Sequence, residues 1–252
     1  MSQIYDNIGL KFETGLNGIL ANTGVERADF CVGYFNLRGW RMICDVIDKL
    51  PGDYLYEGDD RVFRTCRLLI GMHRPPDELI QKLYSCFGQH ELPDSDEVKT
   101  CRRQISIEFR KQLVCGVPSA QDEWALRRLS AQLKQGKVTV KLYLREPLHA
   151  KLYLAHRPED SFNPIQSIMG SSNLTYSGLT KQGELDAEFG DRDDGLKFSK
   201  WFDARWEDRF SVDISDDLAH IIDESWAGEQ GPTPYEVYLK IIYHLSQEAR
   251  SG

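Results

Sequence analysis

No stretch of this 252-residue chain approaches the roughly 20 consecutive apolar residues that a membrane-spanning helix needs. Its opening residues, MSQIYDNIGLKFETG, lack the basic and then apolar regions of a secretory signal. The expectation is a soluble, cytoplasmic protein with no membrane partner. The chain also lacks paired cysteines: Cys31, Cys44, Cys66, Cys86, Cys101 and Cys115 lie singly, with no C-x-x-C and no histidine nearby at ligand spacing. They read as core thiols, and no metal site is expected. A surplus of positive charge is missing too. With 31 Lys and Arg against 39 Asp and Glu, the formal net charge is −8, so any nucleic-acid surface must be local. No internal repeat is visible.

What is present is enough apolar material, 41% of residues, for one large domain with an appendage. Charge is segregated along it. Between Lys99 and Lys151 basic residues outnumber acids about three to one, and from Glu184 to Glu224 the balance reverses. Two readings stay open: oppositely charged helical faces that help the chain pack on itself, or a phosphate-facing surface beside a site.

Alternating strand and helix signals point to an α/β fold, a mixed sheet flanked by helices. Arg27–Phe35 (RADFCVGYF) reads as a buried strand, followed by a helix over Leu37–Leu50. Arg64–Gly71 is a second strand, after which His73-Arg-Pro-Pro breaks the chain and Asp77 caps a helix carrying Leu79, Leu83 and Phe87. The stretch up to Gly136 is helical, with Val98, Cys101, Ile105 and Phe109 at helical spacing. Ser119-x-x-Asp122 there resembles a capping box before Trp124, Leu126, Leu129 and Leu133. This predicts a helical insertion over about 76–136. Lys137–Leu144, His149–Ala155, Pro164–Met169 and Leu185–Phe189 are further strands, with a hairpin at Glu146-Pro147 delivering His149. An acidic helix with Phe198, Trp201, Phe202 and Trp206 then packs back. Residues 1–227 thus form one domain. The remaining 228–252, a Gly/Pro-rich hinge and a helix from about Pro234, lead toward a further domain of a longer protein.

The chemistry concentrates in one place. In His149-Ala-Lys151, residues i and i+2 of a strand point to the same side, so an imidazole and an ammonium face one cavity. Gly170-Ser-Ser-Asn173 follows, a glycine allowing close backbone approach and Ser171, Ser172 and Asn173 supplying neutral donors for an anionic, tetrahedral target. Glu184 lies eleven residues beyond Asn173.

The sequence H-x-K, then G-S-x-N, then a spaced acid resembles the phospholipase D superfamily, and with Gly33-Tyr-Phe35 the likeness extends over most of Ile4–Phe210. In particular the chain resembles the single-motif nuclease domains fused to bacterial superfamily-two helicases, where a segment like Thr233-Pro-Tyr-Glu-Val-Tyr238 leads into the motor. The resemblance implies a phospholipase D-like fold and a cofactor-free, metal-independent phosphodiesterase acting on DNA through a phosphohistidine. It implies a homodimer joined through the active-site face, because the reaction needs two motifs and this chain has one. Lys151 and Asn173, with Ser171 or Ser172, would bind the phosphate, and Glu184 would fix the tautomer of His149. A role in restriction or phage defence, delivered by a helicase motor, follows from the same likeness.

One position departs from the family pattern. Five residues after the lysine, where the family has aspartate, stands His156, and Asp160 can substitute only if the loop folds back. The alternative function is therefore a catalytically silent module that dimerises and grips DNA phosphates, with a steep salt dependence. A lipid-cleaving enzyme is disfavoured by the single motif and by the want of a strong membrane-seeking segment. His73, His90, His220 and His244 have no comparable company, and Trp201, Trp206 and Trp226 read as core rather than as a stacking platform.

Overall fold

The computed structural model describes residues 3–57, 60–72, 96–114, 119–228 and 241–242. The expected helix after Asp77 and the helix near Pro234 lie outside them. The strands are β1 (Ile4–Tyr5), β2 (Arg27–Val32), β3 (Asp53–Glu57), β4 (Asp60–Arg64), β5 (Cys66–Ile70), β6 (Val138–Tyr143), β7 (Leu152–His156), β8 (Ile165–Gly170), β9 (Asp186–Phe189) and β10 (Ser211–Asp213). Eight of them form one mixed sheet in the order β1-β9-β8-β7-β2-β5-β6-β10, and β3 and β4 make a separate hairpin. Strands β2, β5 and β6 run parallel, whereas β7 is antiparallel to both β2 and β8. The α/β expectation of a mixed sheet flanked by helices holds.

Helices cover both faces, as the near-continuous apolar runs of β2, β5, β6 and β7 demand. On one face pack α1 (Phe12–Leu20), α2 (Cys44–Lys49), α3 (Asp96–Val114), α4 (Ala120–Lys134) and α7 (Ser215–Asp223) around the larger core. On the other, α6 (Arg192–Trp206) seats Phe202 and Trp206 on Cys31, Leu69, Leu152 and Leu154. Each such large side chain removed from water contributes about 1.5–3 kcal/mol. A short helix α5 (Tyr176–Thr180) follows the GSSN segment.

The described part of the insertion belongs to the main core. Phe109, Leu126 and Leu129 are fully buried. Ser119 caps α4, its Oγ accepting from the Asp122 amide at 3.1 Å. Trp124, expected on the apolar stripe, is instead exposed, with the Arg128 guanidinium 5.1 Å over its ring. Trp206 is core, as expected.

The segregated charges are spent in part on self-packing. Arg102 meets Asp217, Arg110 meets Glu224, Lys134 meets Asp223 at 2.6 Å and Arg145 meets Asp208 at 2.6 Å, each pairing the basic stretch with the acidic one. Cys31, Cys44 and Cys66 are buried free thiols, burial pushing Cys31 up to about 12 and Cys44 to about 11.

Two corrections bear on the site. The strand expected from His149 begins only at Leu152, leaving His149, Ala150 and Lys151 in the extended approach to it. There is also no hairpin at Glu146-Pro147. Strands β6 and β7 are separated by β5 and β2, a span of about 14 Å at ordinary strand spacing, which the segment 144–151 crosses over the sheet end. Alternating strands in sequence suggested neighbours, but β5 and β2 already occupied the positions between.

Candidate active site

The crossing segment passes directly over the end of β5. The Leu148 amide donates to the Gly71 carbonyl at 3.1 Å, and a Cβ at Gly71 would sit 2.1 Å from the Leu148 carbonyl oxygen, so no larger residue allows this approach. Gly71 therefore sets where His149 emerges.

His149 is exposed and Lys151 buried. The Lys151 ammonium lies 2.8 Å from His149 Nδ1 and 2.9 Å from Nε2, and donates to the His149 carbonyl at 3.0 Å. The two side chains meet on one side, as the i, i+2 spacing anticipated, even though the pair precedes the strand. Burial lowers the Lys151 ammonium from its ordinary value, and the Glu184 carboxylate works in the opposite direction.

Asn173 reaches the same place from the end of β8. Its Oδ1 accepts from the Tyr34 amide at 2.9 Å, which leaves the side-chain NH₂ as its donating end. The wall between Asn173 and His149 is Gly33, where a Cβ would stand 3.1 Å from His149 Cδ2 and 3.3 Å from Asn173 Oδ1. The Tyr34 ring meets the imidazole edge-on, with centroids 6.2 Å apart. These contacts fix three polar groups, imidazole, ammonium and amide, around one solvent-facing point.

The remaining expected residues are placed differently. Ser171 is exposed, its Oγ donating to Glu184 Oε2 at 2.5 Å and accepting from the Leu185 amide at 2.9 Å. Glu184 thus takes its hydrogen bond from Ser171, and the expected bond to His149 is not made within this chain. Ser172 is fully buried. Its Oγ donates to Asp186 Oδ2 at 2.5 Å and its amide to Asp186 Oδ1 at 3.0 Å, so its hydroxyl faces the loop's interior instead of a phosphate. Tyr153 Oη donates to the Ser172 carbonyl at 2.8 Å. Asp186 and Tyr153 thus hold the GSSN loop that presents Asn173, and they were missed in the sequence. The available signal was a charged residue inside the short strand DAEF, where a buried acid needs a dedicated partner.

His156 lies at the far end of β7, roughly 20 Å along the strand from His149. It is buried, with Nε2 2.7 Å from Asp29 Oδ2 on the neighbouring strand β2. Arg67 grips the same carboxylate at 2.6 and 2.7 Å and Arg27 at 2.8 Å. Burial alone would raise the Asp29 carboxyl, but His156 and Arg67 override it and hold it far below the usual carboxylate range. Asp160 is exposed on the turn beyond β7, also at the far end from His149.

Residues 89–206, just under half of the chain and including His149, Lys151, Ser171, Ser172, Asn173 and Glu184, match the family model of the cardiolipin synthase, PLD-like domain. No curated protein matches the chain. Among solved structures, the phospholipase D family member Nuc from Salmonella typhimurium is similar at 8% identity and a TM-score of 0.45, covering 84% of this chain and 97% of its own. NucT from Helicobacter pylori gives 10% identity, a TM-score of 0.44 and coverages of 84% and 98%. Phosphatidylserine synthase from Haemophilus influenzae Rd KW20 gives 13% identity and a TM-score of 0.47, covering 99% of this chain and 46% of its own.

Proposed function

We propose that this chain, which belongs to the phospholipase D superfamily, is a metal-independent phosphodiesterase that cuts DNA through a phosphohistidine at a site completed by a second copy. The observation that carries this reading is the exposed imidazole of His149 with the Lys151 ammonium 2.8 Å away and Asn173 packed against the same glycine wall. A nucleophile with fixed donors beside it suits a tetrahedral phosphate that gains charge as it reacts.

In the first step a ring nitrogen of His149 forms the N–P bond while the P–O bond to the leaving oxygen breaks. That oxygen takes its proton from the partner subunit's His149. In the second step water attacks phosphorus, gives its proton to the partner's His149, and the N–P bond breaks. Lys151 and the Asn173 amide hold the non-bridging oxygens throughout, while the Ser171 hydroxyl at the rim keeps its proton on Glu184. Glu184 offsets the desolvation of Lys151 and anchors Ser171. Ser172, with Asp186 and Tyr153, keeps the loop in place.

A surface for the second copy stands beside the site. Met169 of β8 and Ile4 of β1 flank Ala187 of β9 in register, and with Leu185 they form a half- to two-thirds-exposed apolar patch. The catalytically silent alternative rested on His156. Since that residue packs on Asp29 far from His149, the departure gives no reason to expect a dead centre. The link to a helicase motor in a restriction or defence protein rests on the resemblance of Thr233-Pro-Tyr-Glu-Val-Tyr238 alone.

The test is cleavage of single- and double-stranded DNA in EDTA by wild type and His149→Ala at equal concentration. Denaturing quench at alkaline pH, where an N–P bond survives, should trap DNA covalently on wild type alone. Cleavage that survives in His149→Ala, or that requires added metal, would sink the proposal.

A further inference from the structure

We propose that the groove beside the site, walled on one side by the helical insertion, holds the strand of a polynucleotide next to the scissile phosphate; this rests on the phosphodiesterase reading. The groove has a volume of about 590 Å³, within the ~300–1,000 Å³ usual for ligand sites. Its floor is the continuation of the site itself. Phe35 bridges Leu174, and the Asn36 amide donates to the Leu174 carbonyl at 3.1 Å, so the floor leaves the centre directly from Tyr34 and Asn173. Thr175, two residues past Asn173, lines it, its amide turning back to donate to the Asn173 carbonyl at 2.8 Å, so the groove begins one tight turn from the site. A ligand lying in the groove is therefore continuous with one bound at His149.

The far wall is α3, held there by Gln112. Its Nε2 donates to the Phe35 carbonyl at 3.1 Å and its Oε1 accepts from the Leu37 amide at 3.1 Å. Lys111 and Glu108 of α3, and Arg38, Arg41 and Asp122 from the rest of the lining, give a small positive excess. The cations differ in readiness. Arg41 is engaged with Asp122 at 2.9 Å and lies 4.3 Å over the Tyr176 ring. Arg38 is half-buried, its guanidinium 5.8 Å from the Trp226 ring centroid and donating to the Leu113 carbonyl at 3.5 Å. Lys111 pairs with Glu108 at 2.6 Å, but both side chains are more than half exposed. An exposed pair of this kind is worth ~0–1 kcal/mol, so a phosphate can take Lys111 from Glu108 at little cost. The tyrosine face is occupied by cations, Lys181 also standing 5.2 Å from its centroid, so the groove reads backbone and not bases.

The cations, hydroxyls and continuity with the centre fit a flexible single strand, whose charge is spread along its length. A lone diester headgroup would leave the groove empty. The experiment is binding of a fluorescent single-stranded oligonucleotide to the His149→Ala protein, followed by anisotropy over a salt series. This readout is independent of cleavage, so its failure and the failure of the nuclease reading are distinguishable. Lys111→Glu should weaken binding roughly fivefold or more at low salt and flatten the salt slope by ~0.7. Arg38→Gln should do the same, while Lys197→Glu, on the opposite helix layer, should shift neither beyond scatter. Thermal melting confirms that each variant is folded. Unchanged affinity and slope in both groove variants, an equal loss in Lys197→Glu, no binding by the parent protein, or a loss confined to duplex DNA would each overturn the inference.

Discussion

One histidine closes β7 and another stands three residues before it, and the two rings live in opposite surroundings. His149 is exposed, its neighbours Lys151, Asn173 and Tyr34 set around a point open to solvent. His156 is buried and faces a carboxylate already held by two arginines. One end keeps polar groups available to a ligand, while the other satisfies them internally. In a buried charge network of that kind, removing any member leaves the others uncompensated. The family's aspartate position is occupied here by a histidine, and the acid stands across the strand pair at Asp29, in a ladder where Arg27 lies opposite His156.

The comparison is broken most severely by His149→Ala. Diester cleavage should fall at least about 10³-fold, while the urea midpoint stays within scatter, since an exposed ring is lost; kinetics and equilibrium unfolding check the two halves. At the other end the pattern inverts. Asp29→Ala leaves Arg67, Arg27 and His156 without their shared acceptor and should cost about 3–5 kcal/mol in urea unfolding.

Acid sharpens the same contrast. The folded Asp29 carboxyl titrates well below its unfolded value, so its contribution to stability is present above the unfolded pKa of ~3.9 and is lost as pH falls below it toward the folded value. Unfolding free energy measured from pH 6 to 2 should drop more steeply in wild type than in Asp29→Asn. Equal slopes would place the acid sensitivity elsewhere.

Restoring the family residue is the next smaller change. His156→Asp puts a second carboxylate against Asp29 and should destabilise by about 1–3 kcal/mol, leaving kcat per folded molecule unaltered. A gain in kcat would show that the two ends communicate. The smallest perturbation is Gly33→Ala. The new methyl requires His149 or Asn173 to move by a few tenths of an ångström. It should lower kcat roughly tenfold with a stability change under ~1.5 kcal/mol.

The residues of the centre were legible because they sit close in sequence and carry chemistry that few other patterns explain. H-x-K and GSSN each lie on one short segment, so local geometry nearly suffices to place them. Their supports were less legible. Gly33, Tyr34, Gly71 and Asp186 come from other strands, and each acts through a backbone amide, a missing Cβ or a buried carboxylate, which no local spacing reveals. The β3–β4 hairpin, the edge strand β1 and helix α1 went unread in the sequence; the two-residue β1 is too short for periodicity to register.

Sequence alone determined the α/β class, the helical character of 96–114 and 120–134 and the pairing of His149 with Lys151, because apolar periodicity and i, i+2 spacing are local properties of the chain. Tertiary structure decided that β5 and β2 separate β6 from β7 and that Arg102, Arg110 and Lys134 of the basic insertion pair with the acidic segment. It also decided that Ser172 turns inward and that His156 belongs to a structural cluster. Each of those depends on which distant strand lies alongside, and that is settled by the competition among all elements to bury their apolar faces at once.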